Sequence, residues 1–312
     1  MKKIWMAGAA ILFLTGCIAK VSFAQDVATV DSLKSTSVVM SGAVKEKSND
    51  KKVRFIGVYL NSDALLKPTD SENVIGDYKK ISEYAILPVS KFCYTKNDKD
   101  YYEVMYCGKG YVVEENVINI SVEDKNFLKN IDNDYSSLII NNAREASIYH
   151  RMRDFDKAIN LMSGLKKKGL VIFDRSIYDT SEYTDGTGFS ISVVNLSGKI
   201  IKYISFTVIG YNPVKDVVRG RQGKSPYITV RGVGPIKPGE GGEYNWEYLW
   251  FTDLVQTHKI TLIKLQYLDG SVKVYNNPES LILSGYDKYL MGVLVDPDTK
   301  EVMDGVVDKS KK

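Results

Sequence analysis

Histidine and cysteine are scarce in this chain of 312 residues, which contains two histidines and three cysteines. The histidines, His150 and His258, lie far apart, and neither belongs to a motif with a nucleophile or an acidic partner. The sequence also lacks a glycine-rich phosphate loop and the ligand spacing of a metal site. We therefore predict that the protein is not an enzyme and has no catalytic residues, metal or cofactor.

Net charge is small as well, at +4 for the whole chain, so we predict no nucleic-acid partner. Short basic runs such as Lys166–Lys168 and Arg219–Lys224 are typical of solvated surface. The second run could also contact an anionic surface such as phospholipid or wall polymer, with a flexible hairpin tip as the simpler interpretation. After the N-terminal region, no apolar run is long enough for a transmembrane helix.

The N-terminus has the pattern of a secretory signal peptide, because Lys2 and Lys3 precede a short apolar run. Two processing outcomes are open. Cleavage after Ala24 would remove residues 1–24, whereas a lipobox ending at Cys17 would remove residues 1–16 and lipidate that cysteine. Both predict an exported protein, either in the periplasm or as an outer-membrane or cell-surface lipoprotein, with membrane contact only through the lipid anchor.

The remaining cysteines, Cys93 and Cys107, would face an oxidising compartment after export. If residues 95–100 form a hairpin turn, the two cysteines lie on opposite strands and several residues out of register. This spacing argues against a disulfide between them, although the compartment would allow one.

Residues 25–52 are polar and without a sustained period, which predicts a flexible linker. From residue 53 to residue 120, short β-type runs alternate with turn-prone asparagine, aspartate and proline residues. We interpret this segment as a small barrel.

Four short motifs in this segment resemble those of the bacterial Src-homology-3 domain. They are Leu65–Pro68, Val74–Gly76, Tyr101–Val104 and Gly108–Val112. The resemblance implies a small barrel that exported proteins use to bind cell-wall components or protein partners, without chemistry. The long segment Gly76–Pro88 departs from the family pattern and leaves the position of any binding groove open.

Residues 121–168 predict a helical connector, since Ser121 is followed by acids and apolar residues then recur with helical spacing. We expect one broken helix or two short helices, with Gly164 and Gly169 as natural stops. His150, within this stretch, is expected to be exposed or capped.

Residues 169–278 return to alternation, and the Asp269–Gly270 pair indicates a tight hairpin. The fold class predicted for the chain is therefore mostly β with a helical connector, a Src-homology-3-like barrel and a C-terminal antiparallel β-sandwich of immunoglobulin-like architecture. The segments Lys202–Asn212, Gly232–Ile236 and Tyr267–Gly270 also resemble sandwich modules of uncharacterised exported bacterial proteins. Residues 279–312 are assigned to a C-terminal tail of mixed pattern, in which Val295–Asp298 predicts a turn before a charged, frayed end.

An aromatic row in the predicted sandwich is the strongest candidate for a binding surface. Tyr244, Trp246, Tyr248 and Trp250 are spaced by two, so that in a strand their rings project from one face. Such a row could stack on sugar rings, or it could be the inner wall of the sandwich. In the barrel, Tyr101 and Tyr111 are the tyrosines that we expect to be exposed in a groove.

We therefore predict a non-catalytic, exported cell-envelope binding or scaffolding protein. Its partner would be a cell-wall peptide or glycan, or an envelope protein, and the candidate ligand-binding residues are Tyr101, Tyr111, Trp246, Tyr248 and Trp250. The alternative is an accessory subunit or weak hydrolase acting on envelope polysaccharide, with the acidic segment Asp174–Asp185 and the aromatic strand in one cleft.

Overall fold

A computed structural model describes residues 56–69, 78–180, 186–220 and 225–309. The predicted signal peptide, the candidate lipidation residue Cys17 and the predicted linker lie outside these residues. The described chain is mostly β with connecting helices, as predicted, and forms two compact units. The curled-sheet unit runs to Ala158 and resumes at Gly292, and the sandwich unit comprises Ile159–Met291.

The curled-sheet unit contains six antiparallel strands in the order β1-β4-β5-β6-β2-β3. They are β1 (Gly57–Val58), β2 (Ala64–Pro68), β3 (Lys79–Ile81), β4 (Leu87–Lys96), β5 (Lys99–Tyr106) and β6 (Lys109–Glu114). Tight two-residue turns join β4 to β5 and β5 to β6. Asn97 and Asp98 in the first turn, and Cys107 and Gly108 in the second, all have positive φ, as short hairpin turns require.

Both cysteines of this unit are free thiols, as the hairpin register predicts. Cys93 lies at an irregularity of β4, where the pairing shifts between Phe92 and Tyr94. Cys107 is buried in its turn, and burial raises the pKa of its thiol to about 12.

Two helices follow β6. A 3₁₀ turn at Glu115–Val117 leads to α1 (Val122–Lys129), whose first turn is capped because the Ser121 side chain accepts a hydrogen bond from the Asp124 amide. The chain then forms α2 (Asn133–Lys168), a longer helix than the sequence analysis anticipates. Gly164 does not interrupt it; the helix ends before Gly169, which has a φ of +83°.

Two further helices, α3 (Gly285–Val295) and α4 (Pro297–Lys309), occupy most of the segment assigned to the tail, and Leu290 and Val293 of α3 are buried. The two helices meet at the predicted turn, and the residues after it are helical rather than frayed as far as Lys309. None of the helices in the described residues is sufficiently long and apolar to cross a membrane.

Asp296, between α3 and α4, ties the C-terminal helix to the curled sheet. Its carboxylate accepts hydrogen bonds from Tyr106 Oη at 2.9 Å and Lys79 Nζ at 2.7 Å. It also pairs with the buried guanidinium of Arg151 on α2. Burial alone would raise the pKa of Asp296, but the Lys79 hydrogen bond and the Arg151 charge outweigh burial and hold that pKa below its ordinary value.

The sandwich unit has two sheets. Its strands are β7 (Leu170–Asp179), β8 (Thr187–Asn195), β9 (Ile201–Tyr211), β10 (Val217–Val218), β11 (Ile228–Ile236), β12 (Gly241–Trp250), β13 (Thr257–Tyr267) and β14 (Val272–Asn276). One sheet has the order β12-β8-β7. The five-stranded sheet has the order β10-β9-β13-β14, with β11 also paired to β9, and every pairing within these sheets is antiparallel.

The two sheets of this unit share one apolar core. Inward-facing residues alternate along the strands, as in Phe189 and Ile191 on β8 and Ile204 and Phe206 on β9, all of which are buried. This alternation is the pattern that predicts a sandwich from the sequence.

Candidate functional site

Tyr101 and Tyr111 of the curled-sheet unit, both predicted to be exposed, have different environments. Tyr111 is only 3% exposed, so its prediction is wrong: burial alternates along β6, and Tyr111 lies with Val113 on the buried face of the strand. Tyr101 is half-buried, and its ring stacks on the exposed ring of Tyr94 with centroids 4.8 Å apart. Its hydroxyl donates a hydrogen bond to the Glu114 carboxylate at 3.3 Å, and its side chain is partly accessible to solvent.

The aromatic row does not form a flat platform. Tyr244 and Trp246 stack on each other and pack against the core of the sandwich, and Trp250 is completely buried. These three side chains therefore follow the alternative in which the row is an inner wall. As a binding residue, Trp250 is a wrong prediction because no ligand can reach its ring.

A strand irregularity separates Tyr248 from the rest of the row. The register with β8 shifts between Trp246 and Trp250, and Tyr248 has a φ of 52°, in the left-handed region. Its half-buried ring stacks on exposed Phe251 with centroids 6.3 Å apart. Spacing by two cannot reveal such a bulge, which is why the sequence analysis aligns all four rings.

Both histidines pack into the interior of their units. His150 is buried at 4% exposure, which corrects the expectation of an exposed or capped side chain. His258 faces the interior of the sandwich, where its ring contacts Phe189 with centroids 5.1 Å apart. Burial lowers the pKa of each histidine to about 4, helped by nearby cations such as Arg153 for His150 and Arg175 for His258.

The acidic segment of the alternative interpretation is only partly described. Asp174 is exposed and pairs with Lys288 at 3.3 Å, and Asp179 ends β7 at the surface. Residues 181–185 lie outside the described residues. Within the described ranges, no three or more histidine, cysteine or acidic side chains are grouped so that they could hold a metal ion.

An open depression of about 670 Å³ lies at the corner between α1 and α2 in the curled-sheet unit. Its apolar lining includes Phe127, Ile131 and Leu138, and asparagines 126 and 130 lie at its polar edge. The volume is within the range of small-ligand sites, but the depression is widely open to solvent.

The outward side of the five-stranded sheet is a regular surface, which we call the open face. The pairing of β14, β13, β9 and β11 places its residues in rows across the sheet. The first three rows are Val272-Gln266-Tyr203-Val233, Val274-Lys264-Ser205-Arg231 and Asn276-Leu262-Thr207-Thr229. Lys259, opposite Ile209, extends the same face along β13.

The open face combines exposed apolar side chains with cations. Val233 is 68% exposed and Val274 is 48% exposed, whereas most valines in folded proteins are buried. Arg231, Lys259 and Lys264 are exposed beside them, and the strands β9, β11, β13 and β14 contain no acidic residue. The face is therefore uniformly basic, in contrast to the near-neutral chain as a whole.

Side-chain contacts hold part of this surface in place. The guanidinium of Arg231 stacks over the Tyr203 ring at 3.6 Å, and the hydroxyls of Thr207 and Thr229 are hydrogen-bonded at 3.0 Å. Lys259 and Lys264 have no ion-pair partner among the described residues. Their ammonium groups are thus available to a ligand.

The open face cannot be recognised as one surface in the sequence, because its residues come from four strands spread over about seventy positions, from Tyr203 to Val274. Only the strand register brings them together. A signal was present in the sequence, since lysine and arginine alternate with core residues while acids are missing from these strands.

Comparisons with family models and with curated proteins identify no relative of this chain. The chain matches no protein-family model, and a search of curated proteins finds no match. The likeness of residues 53–120 to the bacterial Src-homology-3 domain therefore rests on the motifs quoted above.

Proposed function

We propose that the protein is a non-catalytic, exported binding or scaffolding protein of the bacterial cell envelope, and that it uses the open face to hold its partner. The observation that carries this proposal is the exposure of valines beside unpaired cations on one regular sheet surface. A contiguous exposed surface of this kind is typical of an interaction site.

Two features of the sequence support the location and the class of partner. The N-terminal pattern favours export, and the resemblance of residues 53–120 to the bacterial Src-homology-3 domain favours a wall component or envelope protein as partner. Tyr101, stacked on Tyr94, is the accessible part of that predicted barrel surface. The curled-sheet unit would then contribute a second contact in the same setting.

A pull-down tests this function. Purified protein is incubated with isolated peptidoglycan and, separately, with outer-envelope polysaccharides, and both bound protein and released sugar are measured. We expect binding without release of product. Failure to sediment with any envelope fraction would contradict the proposed function.

The rival function, a weak hydrolase or accessory subunit, is supported by exposed acids at the end of β7 near Tyr248 on β12. It predicts released product that is lost in the variant Asp179→Asn. A variant of the exposed acid Asp253, which lies outside that segment, serves as the matched control. Turnover that depends on Asp179 would replace the binding interpretation by the hydrolase.

A further inference from the structure

We propose that the ligand of the open face is an anionic polysaccharide, bound along the surface of the five-stranded sheet. This inference rests on the proposed function and names its substrate class. It follows from three properties of the face, namely the sign of its charge, the spacing of its cations and the chemistry of the groups between them.

The positive charge of the open face favours an anionic ligand. All its ionisable side chains are cations, and the absence of acids from the four strands removes any internal compensation. By contrast, the opposite sheet carries acids on two of its strands, such as Asp174 on β7 and Glu243 and Glu247 on β12. The positive potential is thus a property of one side of the sandwich unit.

The spacing of the cations selects a polymer rather than a small anion. Lys264 and Arg231 both lie beside Ser205, on opposite sides of β9, so their backbones are two strand spacings apart, about 10 Å. Lys259 is a further five residues along β13. Because Lys259 lies about 16 Å from Lys264 along β13, the three cations cannot all converge on one phosphate, but they can pair with successive charges of a chain lying across the sheet.

The groups between the cations favour a sugar over a nucleic acid. Ser205, Thr207, Thr229 and Gln266 offer hydroxyl and amide groups that can hydrogen-bond to sugar hydroxyls. Single-stranded nucleic acid is usually held by aromatic rings that stack on bases. On this face Arg231 already covers Tyr203, which leaves the bases no comparable platform.

Binding of fluorescent polygalacturonate to the full chain, followed by fluorescence anisotropy at low and high salt, tests the inference. Polygalacturonate carries a carboxylate on every sugar, and neutral dextran is the uncharged comparison. We expect saturable binding of polygalacturonate that weakens as salt rises, and no saturable binding of dextran.

Charge-reversal variants locate the site. Lys264→Glu and Lys259→Glu should each weaken polygalacturonate binding about tenfold, because an attraction becomes a repulsion. Lys237→Glu is the matched control: it changes the charge of the same unit equally, but it lies in the turn before β12 and should change affinity less than about twofold. Arg231→Lys, which keeps the charge, should retain most of the binding.

Different results would contradict the inference and the proposed function. Equal affinities of Lys264→Glu, Lys259→Glu and wild type would overturn the inference, as would equal binding of dextran or preferential binding of DNA or anionic vesicles. If wild-type protein sediments with envelope fractions while these variants do so equally, the inference and the use of the open face both fail, whereas the role as an envelope-binding protein stands. If polygalacturonate binds through these lysines but no envelope fraction is retained, the proposed function fails instead.

Discussion

The two outer faces of the sandwich unit differ in whether their apolar side chains are covered. On the three-stranded sheet, Val171 and Val194 face outward but are covered by Leu161 and Leu165 of α2, together with Leu283 and Met291. On the five-stranded sheet, Val233 and Val274 face outward and remain exposed. Both sheets thus carry outward valines, and within the described part of the chain only those of the three-stranded sheet are covered.

The covered face contributes to the stability of the unit, whereas the open face is available to bind a partner. Covering a valine removes apolar area from water and contributes to folding, whereas an exposed valine contributes little to it. The cations on the open face would also oppose closure, because a helix packed there would bury unpaired charge. The open face therefore has the composition of a surface that binds a partner after folding.

The largest effect that we predict is for the covered face. Leu165→Ala should reduce the free energy of unfolding of the sandwich unit by about 2–5 kcal/mol, because Leu165 is 3% exposed and its loss leaves a cavity. Trp246 and Trp250 are the only tryptophans after residue 5, so tryptophan fluorescence during urea denaturation reports this unit. A loss below about 1 kcal/mol would show that the helix does not close the sheet.

The sequence predicts much of this sandwich but not its two faces. Alternation predicts the strands of residues 169–278 correctly, since burial between two sheets imposes a period of two. Outward residues carry no such signal. Whether Val171 or Val233 is covered depends on where α2 packs, which is a tertiary property that no local pattern contains.

The candidate binding residues show the same limit. Trp250 satisfies the spacing of the aromatic row but is buried, and Tyr248 is turned by a bulge. Tyr111 lies on the buried face of β6, because the tertiary packing decides which face of the strand is covered. In each case the residue type and period are read correctly, and the failure arises from register or from packing by distant segments.

As the pH falls, the free energy of unfolding of the sandwich unit should decrease, because of His258 in its interior, while the charge of the open face stays the same. Burial, and then the charge of Arg175, lowers the pKa of His258 to about 4, from an ordinary value near 6.5. Between these values the unfolded chain binds a proton that the folded chain does not, so stability falls as pH falls from about 6.5 to about 4. The loss should be at most about 3 kcal/mol.

The matching measurement is urea denaturation followed by tryptophan fluorescence across this pH range. His258→Gln should flatten the pH dependence, while polygalacturonate binding by the folded protein should stay nearly constant down to about pH 5, because lysine and arginine do not titrate there and the sugar carboxylates stay largely ionised. An unchanged slope in the variant would assign the pH dependence to other groups.

A smaller effect concerns the end of the helix that covers the three-stranded sheet. The carbonyl of Lys168 accepts hydrogen bonds from Tyr275 Oη at 2.6 Å and Lys273 Nζ at 2.7 Å. Tyr275→Phe removes one donor but keeps the ring, so it should cost about 1 kcal/mol of the unfolding free energy. Tyr227→Phe, at an exposed tyrosine of the same unit, is the control and should leave that free energy unchanged.

The smallest effect on stability is predicted for the open face itself. Val233→Thr and Val274→Thr keep a β-branched shape, and both valines are largely exposed, so each should change the free energy of unfolding by less than about 0.5 kcal/mol. Polygalacturonate affinity should nevertheless fall, since the substitutions remove apolar surface beside the cations. If either substitution destabilised the unit as strongly as Leu165→Ala, the open face would be a structural surface that requires covering, and its contrast with the closed face would disappear.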